Sequence, residues 1–359
     1  FTITPGVPAV GALMSLNVET DNACSTNDIR TGRVMAVGTR VIVMADTMNP
    51  SGGFTAGDYA AIADSFDAKV HPTITGAFGT PSDRDGNGRV VAFYTRAVNE
   101  LTGPGSSSFV GGFFFSRDLF AASDCATSNV GEMFYMLVPD PAGTVNGNVR
   151  TVSMVRENTL GTLAHEYEHL INASRRVLVN TPWNGQFEEA WLDEGLAHVA
   201  EELMFYQGSG TAPGMDLDVA DVAPVQDAFF KYAESNFGRL RQWLLAPESN
   251  GAFEMNDGLA TRGAAWAYLR YAADRRGGSQ AAFWSALVNS TTTGYANFTA
   301  ALGTAPNPWV RDFHVALYTD DAVPGAAAYT LPSWNLRSLY DALDYDGDRL
   351  ADGYPLAAR

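Results

Sequence analysis

Cysteine is almost missing from this chain: Cys24 and Cys125 are the only two in 359 residues. Neither belongs to a C-x-x-C pair or has a histidine nearby, which argues against a cysteine metal site. Basic residues are also scarce. Lys and Arg number 23 against 40 Asp and Glu, giving a net charge of −17 and a pI near 4.6. An acidic surface is repelled by phosphate backbones, so nucleic acid is excluded as a partner. No apolar run approaches the roughly 18 residues that a membrane-spanning helix needs. There is no internal repeat, low-complexity tract or long linker. What remains is 46% hydrophobic and 18% charged, enough for one large domain or two lobes around a sizeable core.

Histidine is rare as well, at five residues, and two of the five stand four apart in LGTLAHEYEHLIN, residues 160–172. On a helix His165 and His169 lie one above the other on a single face. Glu166 sits between them, so the pattern is H-E-x-x-H. That spacing lets two neutral imidazoles grip one zinc ion while the carboxylate reaches a water on the metal. Leu160, Leu163, Tyr167, Leu170 and Ile171 supply an apolar side, with a polar stripe beside it that includes both histidines. No proline interrupts residues 142–181. The competing reading is a surface helix carrying two unrelated histidines.

A second amphipathic helix follows over residues 184–207, with a cap expected near Asn184 and an end at Gly208. Trp191, Glu194 and His198 fall at i, i+3 and i+7 on one of its faces. Zinc sites of this type need a third protein ligand. Glu194 follows His169 by 25 positions with a glycine-containing turn between, so a helical hairpin would return it toward the histidines.

The combination HEYEH…WLDEGLAH resembles the gluzincin metallopeptidases, in which HExxH is followed by a helix bearing an E-G pair. The phrases HEYEHLIN and WLDEGLA most resemble the hyicolysin-like secreted bacterial neutral metallopeptidases. The resemblance is specific over residues 157–205. It implies that His165, His169 and Glu194 are zinc ligands and that Glu166 is the catalytic base. In the related aminopeptidases a tyrosine contacts the transition state from a helix like ATRGAAWAYLRYAADRRGG. Here Ala260, Thr261 and Arg262 stand at its start. Arg262 is therefore either a cation at the oxyanion or a surface charge. His198 and His314 are the alternatives, His198 also being placed to support Glu194 from one turn away.

Elsewhere the chain divides by pattern. Residues 1–45 read as strands, and a helix runs from about Thr55, with His71 in a turn beyond it. In SDRDGNGRVVAFYTR, Asp83, Asp85 and Asn87 with Gly88 copy the front of an EF-hand calcium loop, but Tyr94 replaces the closing glutamate. Calcium and a plain polar turn into strand 90–94 are both compatible with it. GEMFYMLVPD reads as a further strand, while FVGGFFF is compatible with a strand that has a flexible border near the substrate cleft without being fixed as one by its sequence. After residue 208 helices are expected at 225–245, 259–275, 279–290, 306–318 and 334–343. Near the end, Asp344, Asp346, Asp348 and Asp352 resemble a bacterial thrombospondin type 3 calcium repeat, with a solvated acidic tail as the alternative.

The expected fold is α+β, a two-lobe zincin with an N-terminal α/β lobe (1–174) and a mainly helical lobe (175–359). The start at Phe1, with no leader-like pattern, reads as a mature secreted form. Two cysteines in that setting suggest one Cys24–Cys125 disulfide, with two free buried thiols as the alternative. The expected function is a monomeric, zinc-dependent metalloendopeptidase acting on peptides or proteins, with calcium as a further candidate cofactor. A zinc aminopeptidase is the first alternative, with Glu188 and Glu189 the nearby acids available for a substrate amino terminus. The second is a calcium-dependent surface or adhesion protein with an inactive zincin core.

Overall fold

The computed structural model describes residues 6–21, 24–106, 108–181, 185–251, 253, 258–325, 327–345 and 354, with residues 344 and 345 described by backbone alone. The chain forms two compact units, Phe1–Val179 and Asn180–Arg359, and it is a mixed α+β protein.

The first unit is built on a six-stranded sheet: β1 (Leu13–Asn17), β2 (Ile29–Val37), β3 (Val41–Asp46), β4 (Val90–Tyr94), β5 (Gly112–Phe114) and β6 (Met133–Met136), ordered β1-β2-β3-β4-β6-β5. The central strands β3, β4 and β6 pair in parallel, while β1, β2 and β5 are antiparallel to their neighbours. VIVMAD, VVAFY and MFYM are buried along their whole length. Continuous apolar runs of this kind are what parallel strands need when both faces are covered. Helices α1 (Ala56–Ser65) and α2 (His71–Phe78) form the crossover between β3 and β4, and α3 (Arg96–Glu100) follows β4. Helix α4 (Val152–Ser174) packs along β5 and β6.

Thr55 is the cap of α1 and not its first residue. Its hydroxyl accepts the Asp58 N–H while the Asp58 carboxylate accepts the Thr55 N–H, a reciprocal capping box. The expected turn at His71 is absent. A π-helical stretch, Phe66–Val70, joins α1 directly to α2, and Pro72, which has no N–H to donate to the preceding turn, lies just beyond it in the first turn of α2. His71 thereby faces inward, with Nδ1 2.9 Å from the Tyr167 hydroxyl. Burial holds the His71 imidazole below its usual pKa.

The second unit is helical: α5 (Ala190–Ser209), α6 (Val219–Val222), α7 (Gln226–Tyr232), α8 (Glu234–Leu245), α9 (Leu259–Arg276), α10 (Gln280–Val288), α11 (Gly294–Leu302), α12 (Asn307–Thr319) and α13 (Leu336–Tyr345). Trp266, Phe237, Phe229 and Trp334 meet at its centre. The helix expected over 225–245 is broken at Ala233, where φ reaches −112°. Helix α11 had no counterpart in the sequence reading. The expected cap at Asn184 lies outside the described residues. Helix α5 starts at Ala190 and runs past Gly208 to Gly210, whose φ of 73° is the left-handed closing conformation that glycine adopts without strain.

Cys24 and Cys125 form a disulfide across 101 positions, beside a buried polar cluster in which the Tyr135 hydroxyl lies 2.6 Å from Asp118 Oδ2 and Arg117 pairs with Asp118 at 3.1 Å. A crosslink closing so long a loop constrains the unfolded chain. Its removal typically costs about 2–5 kcal/mol. The Cys24→Ser/Cys125→Ser double variant should therefore unfold at lower denaturant concentration and with a steeper slope, because its unfolded chain exposes more surface, as urea titration of each protein will show.

Candidate metal centre

The Thr151 hydroxyl caps α4 by accepting the Met154 N–H. From there the helix presents Thr159, His165, Glu166, Glu168 and His169 to the interior, all buried. Two tethers fix its rotation: Tyr94 hydroxyl to Thr159 Oγ1 at 2.6 Å, and Tyr167 to His71. Strand β5 approaches so closely that a Cβ on Gly112 would lie 2.8 Å from Tyr135 O and 3.2 Å from Glu166 Cγ. The glycine lets the edge strand run against the motif.

The Nε2 atoms of His165 and His169 stand 3.2 Å apart. Two nitrogens about 2.05 Å from a tetrahedral zinc are separated by about 3.3 Å. The pair therefore fits the ion, and Glu166 follows directly on the buried side, 4% exposed.

In the second unit Glu194 projects from the first turns of α5 and pairs with Arg262 of α9 at 2.8 Å. Arg262 is thus not an isolated surface charge. Its guanidinium is engaged by the carboxylate that the sequence singled out. The two helices meet closely there because Gly195 has no side chain: a Cβ would fall 2.7 Å from Leu269 Cδ1 and 3.1 Å from Ala265 Cβ. Gly263 does the same for α8, where a Cβ would lie 2.3 Å from the backbone of Arg239 and Leu240.

His198 is fully buried, with Nδ1 3.2 Å from Glu201 Oε2 and Nε2 4.0 Å from Glu194 Oε2. Arg239 lies 3.5 Å from the same Glu201 oxygen, and Asn236 donates to the His198 carbonyl at 3.1 Å. A carboxylate beside Nδ1 helps to fix the imidazole's orientation. The sequence reading missed Glu201, although its place three residues after His198 was a usable signal. It also missed buried Glu168, inside the motif itself. His314 is exposed on α12, where its ring stacks on Trp243 at 5.5 Å.

Glu188 and Glu189 serve the local fold of the second unit. Glu188 accepts the Gly294 N–H at 2.6 Å and the Asn297 amide at 2.7 Å, and Glu189 accepts the Trp191 indole N–H at 3.0 Å.

A second group of metal-binding atoms lies wholly within the first unit. Carboxylate oxygens of Asp83, Asp85 and Glu132 all fall within 4.8 Å of one another. Glu132 comes from just before β6, and no sequence spacing announces it. It also accepts the Ser82 hydroxyl and the Arg84 N–H. Asn87 Oδ1 is turned away to accept the Arg89 N–H at 2.7 Å. Burial, reinforced by the charges of Glu132 and Asp83, pushes the Asp85 carboxyl up to about 6. Of the second acidic run, Asp346, Asp348 and Asp352 lie outside the described residues, and Asp344 is described only as backbone near the end of α13.

Among the described residues no helix is long and apolar enough to cross a membrane. No family model matches the chain. The neutral metalloprotease ShpI of Staphylococcus hyicus is 36% identical to it over 148 residues, 41% of this chain. The alignment spans 30% of that relative's own length. With the His and Glu groups above, this similarity supports a metalloprotease relationship.

Proposed function

We propose that this chain is a secreted zinc metalloendopeptidase of the gluzincin type, in which His165, His169 and Glu194 hold the metal. The observation that carries the reading is the buried imidazole pair, 3.2 Å apart on one helix with a buried glutamate beside it. Zinc in such a site supplies Lewis acidity toward a peptide carbonyl and toward water.

The chain's own residues account for the proton. Glu166 takes it from the attacking water and delivers it to the departing amine, so one carboxylate serves as base and then as acid. Arg262, ion-paired with Glu194, orients the third ligand. His198, held by Glu201, is the group in the second unit best placed to support Glu194 or to meet a developing oxyanion. An aminopeptidase would need free carboxylates for the substrate's amino terminus. Glu188 and Glu189 already serve Gly294, Asn297 and Trp191, which favours endopeptidase action.

Glu166→Gln should retain about one zinc per chain while losing about 10²–10⁴ in kcat. Glu194→Ala should lose zinc, with activity partly recovered in excess metal. Metal analysis alongside hydrolysis of an internally quenched, N-blocked peptide reads both. Full zinc affinity in Glu194→Ala would sink the ligand assignment.

We further propose calcium at Asp83, Asp85 and Glu132. The Asp85 pKa lies above the ordinary 3.8, so the folded chain binds more protons than the unfolded one between pH 3.8 and about 6. Stability without a cation should therefore fall as pH rises through that window. Calcium, which replaces the proton, should restore it above pH 6. Melting curves in chelator and in calcium at pH 4 to 7 test this, and parallel curves would refute it.

A further inference from the structure

Helix α5 carries Glu194 but begins without a side-chain cap. Glu189 stands at its N-cap position, and its carboxylate accepts the Trp191 indole N–H at 3.0 Å instead of a first-turn N–H. The first N–H groups of a helix lack partners within it, and such an end frays unless something else anchors it. The anchor here lies 106 positions away, at the start of α11. Glu188 Oε1 accepts the Gly294 N–H at 2.6 Å, and its Oε2 accepts the Asn297 amide at 2.7 Å. The Glu189 N–H donates to the same Oε1 at 2.9 Å, so the carboxylate is tied to its own backbone too. Asn297 is buried, and its amide is also held by the Leu287 carbonyl of α10 at 2.8 Å.

The junction is closely fitted. Thr293 gives α11 no side-chain cap, and Glu188 fills that role from outside the helix. A helix N-terminus favours a carboxylate, since its unpaired N–H groups and the helix dipole both attract negative charge. Gly294 has a φ of 53°, and a Cβ there would lie 2.0 Å from the Glu189 carboxyl carbon. Glycine thus leaves room for two adjacent carboxylates against one turn of backbone. The buried Trp191 ring completes the contact, 6.0 Å from Phe298 of α11 and 4.7 Å from Phe253. Trp191 precedes Glu194 by three residues, about 4.5 Å along the axis and on the same face. Rotation and height fixed at Trp191 are therefore passed to Glu194 within a single turn. Arg262, 2.8 Å from Glu194, restrains only the tip of that side chain.

We propose that Glu188, seated on the Gly294 turn, is a positioning residue that holds the start of α5 and, through it, the zinc ligand Glu194. The inference rests on the reading of Glu194 as a ligand. Glu188 acts through the helix and not on the metal. The gain is preorganisation: a carboxylate already held in place loses less freedom when the ion binds. Removing a group that orients a metal ligand typically weakens metal binding by about 10–100-fold.

The test is the zinc affinity of the full chain, read by competition with a chelator of known affinity, alongside the melting temperature of the metal-free protein. Glu188→Ala should weaken zinc binding by about tenfold or more. Glu188→Gln keeps an acceptor for the Gly294 N–H and should recover part of that loss. Gly294→Ala, whose methyl displaces the carboxylates, should weaken zinc binding with no charged group altered. Ser279→Ala removes the cap of α10 and serves as the stability control, melting lower with zinc affinity unchanged. In the Glu194→Ala background, Glu188→Ala should have no further effect on zinc, because the residue through which it acts is gone. Parent-like zinc affinity in every folded variant of Glu188 and Gly294 would overturn the proposal, whatever their melting temperatures. So would an equal loss from Glu188→Ala with and without Glu194. Full zinc affinity in Glu194→Ala alone would instead overturn the ligand reading, so the two failures are told apart.

Discussion

Four ionisable side chains within five consecutive residues of one helix, His165, Glu166, Glu168 and His169, are buried. Each buried charge carries a penalty of several kcal/mol unless a countercharge or strong hydrogen bonds offset it. An ordinary core helix would not keep such a face. A divalent cation between neutral imidazoles removes much of the penalty at once, which is the physical reason for reading this helix as half of a metal centre. The scaffold is arranged accordingly. Three fully buried parallel strands, a hydroxyl tether from Tyr94 and the His71–Tyr167 contact hold α4 in one rotation.

Close backbone approach is the second recurring device. Gly112 admits β5 to the face of α4 beside Glu166, Gly195 admits α9 to α5 beside Glu194, and Gly263 admits α8 to α9 beside Arg262. In each case the missing Cβ sits next to a residue singled out for chemistry. A methyl group at Gly195 or Gly263 would meet backbone or packed side chain at under 3 Å. The E-G pair of the motif therefore has a packing explanation: the glycine lets α9 bring Arg262 to the carboxylate of the residue before it.

The two units solve charge burial in different ways. In the first, Arg117, Asp118, Tyr135, Asn17 and Asn129 form a closed network in which the guanidinium reaches carbonyls of Asn17 and Glu19 and the carboxylate accepts from Tyr135 and Asn129. Low dielectric strengthens such a network when it is complete. In the second, Arg270 lies between Glu202 and Asp274, 3.7 Å from each. Burial raises the pKa of both carboxyls while the Arg270 charge opposes it.

By itself the sequence determined the helix of the candidate metal centre, because H-E-x-x-H places two imidazoles on one face by helical geometry alone. Periodicity likewise located the buried strands and most helices, and two cysteines left one possible disulfide. What periodicity could not see was the π-helical join that carries His71 inward, the break at Ala233, or the short helix α11, since each turns on local backbone geometry settled by packing. Partners distant in sequence were equally hidden. Glu132 joins Asp83 and Asp85 from 47 positions beyond Asp85, and Arg262 reaches Glu194 from another helix. Side-chain type and spacing set which chemistry was available. Tertiary structure decided which carboxylates are buried and which charges stand close enough to act on one another, because desolvation and Coulomb interaction depend on distance in space and not along the chain.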